Sequence, residues 1–284
     1  MKPFRWDISR KEQLGRLIEG DRSPAYKGFR DDLRVCCARL MAFSNNGYLV
    51  FVGRSPESVF DYLSGAFEGM RKADELVHLN ISNRYVSVQQ IGELNAESVE
   101  ALADHFRKCA LSPEDIVSRK SRTLFTDLVA YGGTFGHIAT FLFSWARKAN
   151  VPVKELRAKL GFLGITSRSK TSPKTWRWQQ NVDWVKTLRV GNIKNVSITV
   201  QWWDYLGNWQ MKVSATNRPG DWASDAILEP PRMESNVRAL RRAFDLYSSG
   251  SREKERFSEL LSQESAVEEE WFRRLISELR LGVR

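Results

Sequence analysis

The residues best suited to chemistry lie between Thr123 and His137, TLFTDLVAYGGTFGH. Four residues fit for a buried strand run into Asp127. Two further apolar residues follow, and the chain then breaks at Tyr131-Gly132-Gly133-Thr134. Beyond it Ile138, Phe141, Leu142 and Trp145 recur at helical spacing. The pattern is a strand, a glycine turn and a helix, with an acid at the strand's carboxyl end. In an open parallel sheet ligands bind off the carboxyl ends of the strands. Paired glycines let backbone N–H groups wrap an anion, and the next helix presents its positive end to it. Ala130, Tyr131, Gly132, Gly133, Thr134 and Gly136 are therefore the candidate anion loop. Asp127, an acceptor when ionised, suits the hydroxyls of a ribose. His137 falls in the first helical turn, in reach of a bound phosphate or simply facing water.

A second strand-turn-helix precedes it. Tyr48 to Val52 reads as a buried strand, Gly53-Arg54-Ser55-Pro56 as a turn and Glu57 to Phe67 as a helix, with proline and an acid marking the first helical turn. Arg54 offers a planar fork for phosphate oxygens that lysine cannot copy.

These parts resemble the signature of type I phosphoribosyltransferases, over roughly residues 46–190. Asp127 matches the second of two acids in that pattern, and Leu128, Val129, Ala130, Gly132 and Thr134 match the positions after it. Thr126 stands in place of the first acid, and Tyr131 in place of a small turn residue. The resemblance implies a phosphorylated ribose ligand, phosphoribosyl pyrophosphate or a nucleotide. Gly53, Arg54 and Ser55 would hold pyrophosphate, Asp127 the ribose, and the Gly132–Gly136 backbone the 5′-phosphate. It implies magnesium as cofactor, a mobile loop over residues 82–94, and transfer of the phosphoribosyl group with pyrophosphate release. Thr126 and Tyr131 motivate a different reading, ligand binding or sensing without turnover. Proteins similar to this family also act as accessory effectors in bacterial antiviral defence cassettes of the retron type, which leaves a nucleic-acid-associated role as the alternative.

Charge bears on that alternative. The chain of 284 residues carries +10, and nine Lys or Arg against Glu155 and Asp183 put +7 of it between Lys154 and Arg189. Such a local excess calls for an anionic partner, a phosphorylated ligand or nucleic acid. Within it Arg168 follows a strand and is expected at the crevice. Pro173 is read as starting a helix on which Trp176, Gln180 and Trp184 share a face. Trp184 is read as core and Trp178 as a surface for base stacking.

An apolar fraction of 42% supports a sizeable core, and 27% charged residues is ordinary for a soluble chain. No stretch approaches ~20 apolar residues, so no membrane span is expected. No signal-like apolar region opens the chain, and three cysteines make neither a disulfide framework nor a zinc site, so a cytoplasmic setting is expected. Cys36 and Cys37 read as core. His78 and His105 read as a strand side chain and a helix surface residue, without metal-ligand spacing.

The expected fold class is α/β, a parallel-sheet phosphoribosyltransferase-like core with additions. Residues 1–45 form a helical segment. Residues 46–228 form the α/β domain, with strands at Tyr48–Val52, Leu76–Ser82, Thr123–Thr126 and Lys159–Thr166. The stretch Asn195 to Thr216 is expected as an appended β-hairpin. Residues 229–284 read as a helical module, broken at Ser248-Ser249-Gly250, that makes a cap, a homodimer surface or a docking element.

Overall fold

Burial on both faces dictates the centre of the molecule. The computed structural model describes residues 5–22, 24–81, 95–168, 178–180, 182–188, 190–215 and 232–282. Five strands, β1 (Tyr48–Val52), β2 (Leu76–Leu79), β3 (Thr123–Val129), β4 (Leu160–Ser167) and β5 (Ile193–Ile198), form one sheet in the order β2-β1-β3-β4-β5. Every pairing is parallel. All eight residues of β4 are buried, as expected of a strand covered on both sides.

Side-chain alternation divides the core into two layers. Leu49, Phe51, Leu124, Leu163 and Ile165 face one side. There they meet α2 (Phe29–Ser44) and α3 (Glu57–Ala66). Val50, Val52, Phe125, Val129 and Phe162 face the other side. They pack on α4 (Ala96–Lys108), α5 (Pro113–Ser118), α6 (Gly133–Lys148) and α7 (Val153–Lys159). The result is a helix–sheet–helix sandwich, an α/β fold with a parallel core as expected. A short helix, α1 (Lys11–Leu14), lies in the N-terminal segment. Among the described residues no helix is long and apolar enough to cross a membrane.

The stretch expected as a β-hairpin is different. Its first part is β5, a parallel edge strand on β4. The Thr199 side chain then accepts from the Trp202 amide and starts α8 (Val200–Asp204), which runs into a π-helical turn over Tyr205–Trp209. The alternation that suggests a second strand is set by tertiary contacts instead: Trp202 and Leu206 are fully enclosed in the core. The expected helix from Pro173 to Trp184 begins at residues outside the described ones. Where the chain is described, Trp178–Gln180 and Asp183–Thr187 are separate 3₁₀ turns.

The C-terminal helices are α9 (Glu234–Arg252), α10 (Lys254–Ser262) and α11 (Glu270–Leu281). Helix α9 does not break at Ser248-Ser249-Gly250. Gly250 lies inside it because the backbones of α9 and α3 touch there. A Cβ on Gly250 would come within 2.2 Å of the Tyr62 carbonyl oxygen, and one on Gly65 within 1.9 Å of the Tyr247 carbonyl oxygen. Residues of α10 and α11, Phe257, Leu261, Phe272 and Leu279 among them, share one apolar cluster with α2, α3 and the sheet. The outer side of α9 is covered by Ile8, Leu14 and Ile18 of the N-terminal segment.

This crossing yields a stability prediction. Gly65→Ala forces α9 off α3 and should destabilise the protein by about 1–3 kcal/mol, the usual cost of overpacking. Gly191→Ala, where an added Cβ meets open space, should stay within about 0.5 kcal/mol of the parent. Urea denaturation midpoints of the two variants measure the difference.

Candidate functional site

Strand order locates the site. From β1 the chain passes outward to β2 on one side, then returns to place β3 on the other, so connections diverge between β1 and β3. That divergence opens a crevice at the strands' carboxyl ends. A cleft of about 340 Å3 lies there, lined by Val52, Gly53, Arg54, Ser55, Ile81, Asp127, Thr134, Gly207, Asn208 and Lys212. Its volume lies in the small-ligand range, and its lining is mostly polar.

The β1–α3 turn is held from below. Gly53 takes φ +69°, where a side chain would be strained and its Cβ would press on the Ile81 carbonyl oxygen at 3.0 Å. Its amide donates to the Leu79 carbonyl (2.8 Å), and His78 Nε2 donates to the Gly53 carbonyl (2.7 Å). His78 is thus a buried clamp on the turn.

Asp127 is buried on the α6 side of β3. The Leu128 amide donates to its Oδ1 at 2.7 Å, and the Thr134 hydroxyl donates to the same carboxyl. Burial pushes its pKa up to about 7, against the opposing pull of those two donors and of Lys212. Lys212 faces it from the segment after the π-helical turn, with Nζ donating to the Leu206 carbonyl at 2.6 Å. Burial lowers the Lys212 pKa to about 8, with Glu57 and Asp127 opposing the shift and Arg54 adding to it.

A buried acid fixes that segment in place. Glu57, in the first turn of α3, accepts from the Val213 amide (3.0 Å), the Ser214 amide (3.2 Å) and the Ser214 hydroxyl. Gln210 adds a second tie, donating to the Arg54 carbonyl at 3.3 Å and accepting from the Ser58 hydroxyl at 2.9 Å. The cleft's far wall is therefore bolted to the turn that forms its near wall.

Of the residues expected from the sequence, Gly53, Arg54, Ser55, Asp127 and Thr134 come together in the cleft. Ala130, Tyr131, Gly132, Gly133, Gly136 and Arg168 do not line it. Tyr131 is 71% exposed. Gly132 (φ +77°) and Gly136 lie against indoles: an added Cβ would come within 2.3 Å of Trp178 and 2.8 Å of Trp184 respectively. Arg168 is exposed just beyond the end of β4. Residues 82–94, the expected mobile loop, lie outside the described residues, as does much of the basic segment (169–177, 181 and 189).

Trp178 is not a stacking surface. It is 3% exposed, packs on Phe135 and donates from Nε1 to Asn195 Oδ1 at 2.8 Å. Trp184 packs on Phe162, as expected of a core residue. His105 is a buried residue of α4, not a surface one, and burial lowers its pKa to about 4. His137 neither faces water nor lines the cleft. It is 5% exposed with both ring nitrogens unpartnered, and burial lowers its pKa. Cys36 and Cys37 are core residues, their thiols pushed up by burial.

Gly207, Asn208 and Lys212 carry no sequence signal for this role, because long-range contacts of Glu57, Gln210, Trp202 and Leu206 bring them to the cleft. No family model, curated protein or solved structure matches the chain.

The donor set does not fit a resident magnesium ion. The protein's share in holding magnesium is usually one or two ionised carboxylates, with substrate phosphates and water completing the shell. Asp127, half protonated near neutral pH, is the one carboxyl among the described lining residues, and Arg54 and Lys212 stand beside it. Across the described residues no group of three His, Cys, Asp or Glu side chains could hold a metal. The arrangement is suited to holding an anion against the two cations and hydroxyl groups against Asp127.

The buried Asp127 has a measurable cost. Its folded pKa lies above its ordinary value of 3.8, so the native state holds the extra proton and stability falls as pH rises from about 4 to about 7. Asp127→Asn should match wild type at about pH 4 and exceed it above about pH 7 by on the order of 2–4 kcal/mol. Lys212, lowered from 10.5, acts in the opposite sense: its contribution rises with pH above about 8. Urea midpoints of both proteins across pH measure the gap, and a gap independent of pH would show that Asp127 titrates normally.

Proposed function

We propose that the cleft binds a phosphorylated ribose compound, phosphoribosyl pyrophosphate or a nucleotide, as the type I phosphoribosyltransferases resembled by residues 123–137 do. The observation that carries this reading is the convergence of the Gly53–Ser55 turn, Asp127 and Thr134 at the crevice between β1 and β3. Asp127 takes the ribose hydroxyls. Thr134, in the first turn of the sixteen-residue α6, faces the 5′-phosphate together with that helix's positive end. The turn after β1 supports the remaining phosphate groups through Arg54.

Binding is better supported than turnover. A pair of adjacent residues on a strand points to opposite faces. Thr126 is fully buried on the α2–α3 side, with its hydroxyl unpartnered, so Asp127 works in the cleft without the first acid of the resembled pattern. Pyrophosphate release with adenine, guanine, hypoxanthine, uracil or orotate should accordingly be slow or absent.

Calorimetry with ribose 5-phosphate tests the binding role. Asp127→Asn should weaken affinity by about 1.5–3 kcal/mol, the worth of a hydrogen bond to a charged group. Wild-type affinity should also rise between about pH 6 and pH 8 as Asp127 ionises around 7. Equal affinity in the variant across that range would remove Asp127 from the site.

A further inference from the structure

We infer that two fixed cations, Arg54 and Lys212, neutralise the ligand's phosphate groups in place of a divalent metal ion. The inference rests on the phosphorylated-ribose reading and adds how the charge is met. Both residues line the cleft, and they are close enough for the Arg54 charge to act on the Lys212 amine. Neither position is free to drift. Lys212 immediately precedes the two amides that Glu57 accepts, and its Nζ holds the Leu206 carbonyl. The Arg54 backbone is tied to Gln210, which is anchored by Ser58. Two like charges are thus built into one cleft, where burial already disfavours an ammonium.

An anion between them reverses that situation. It adds negative charge between them and accepts charge-assisted hydrogen bonds from an ammonium and a guanidinium. A magnesium ion in the same place would add repulsion to both cations and find one carboxyl to hold it. In solution it would also mask the ligand charge that the two cations attract. Beyond the ligand, the charged groups acting on Lys212 are Glu57, Arg54 and Asp127. Glu57 is spent on backbone and hydroxyl donors, and Asp127 is half protonated near neutral pH.

The test is calorimetry of the full chain with phosphoribosyl pyrophosphate, in EDTA and in magnesium, for wild type, Lys212→Met and Arg54→Met. Circular dichroism and urea midpoints establish that each variant is folded; Arg54, half-buried in a turn, supplies the comparison should Lys212→Met fail to fold. Wild type should bind in EDTA at least as tightly as in magnesium. Each folded variant should lose about tenfold to a hundredfold in affinity, with no recovery on adding metal. Wild-type affinity in EDTA should fall as pH rises from about 8 to about 10, above the range in which Asp127 ionises and past the Lys212 value of about 8, and the Lys212→Met profile should lack that fall. Binding that requires magnesium, a folded variant that binds like wild type, or a flat wild-type pH profile would overturn the inference while leaving the ligand reading intact. No binding in either condition would overturn both.

Discussion

Glu57 is the interaction on which the cleft depends. A carboxylate buried to 1% exposure is tolerated only where hydrogen bonds replace its water. Here two amides and a hydroxyl from Val213 and Ser214 do so. The contact joins the first turn of α3 to a segment more than 150 residues further along the chain. It fixes the height of Lys212 above the sheet and the position of Gly207 and Asn208 opposite the β1 turn. Gln210, bonded to the Arg54 carbonyl and the Ser58 hydroxyl, holds the same wall from a second point. Removing Glu57 would leave the Val213 and Ser214 amides unpaired in the interior, which lowers local stability.

Around that anchor the cleft is polar where the rest of the sheet is not. Asp127 and Lys212 are both shifted toward their neutral forms by burial, and each is only partly rescued by the other. A fold selected for stability alone would place apolar side chains at such positions, as it does at Val129, two residues beyond Asp127 on the same strand. Strain gathered at one end of a sheet, beside a turn held at positive φ by Gly53, is the pattern expected of a binding site. The remainder of the molecule absorbs this easily. Helices α2, α3, α10 and α11 close one face of the sheet, α4 to α7 close the other, and the Gly65–Gly250 crossing fixes α9 on α3.

The parallel core was legible in the sequence because each early strand is a short apolar run ended by a turn, and each following helix opens with a recognisable signal. Asp127 and the Gly53–Ser55 turn were legible for the same reason: a strand's carboxyl end is a place that local sequence can identify. The region after β4 was not. In Asn195 to Thr216, period-two alternation imitates a hairpin, yet Trp202 and Leu206 are spaced to fill a helical face against Phe29 and the sheet. Periodicity over so short a run cannot separate the two, and the Thr199 cap decides it. Lys212 and Glu57 were invisible as partners because nothing local records a contact between distant segments. His105 read as a surface residue since a single polar side chain does not reveal which side of α4 it occupies.

The glycines after β3 show how one motif can serve two ends. Gly136 is required by packing, and Gly132 by packing and by its positive φ, since Trp184 and Trp178 occupy the space where their side chains would be. Trp178 is in turn fixed by Asn195 on β5, so the β3–α6 turn is tied to the sheet's edge strand through an indole. A glycine-rich turn in this setting is no longer a specific sign of an anion. What remains specific is the direction of α6. With its first turn seated on two indoles, the helix is fixed about its axis, and half-buried Thr134 is held against Asp127 at the cleft. The indoles do not touch the cleft, yet they set the angle at which the helix's positive end meets it. Trp178, which looks in sequence like a stacking surface, thus acts with Trp184 one layer back, as the packed seat of the helical turn that carries Thr134.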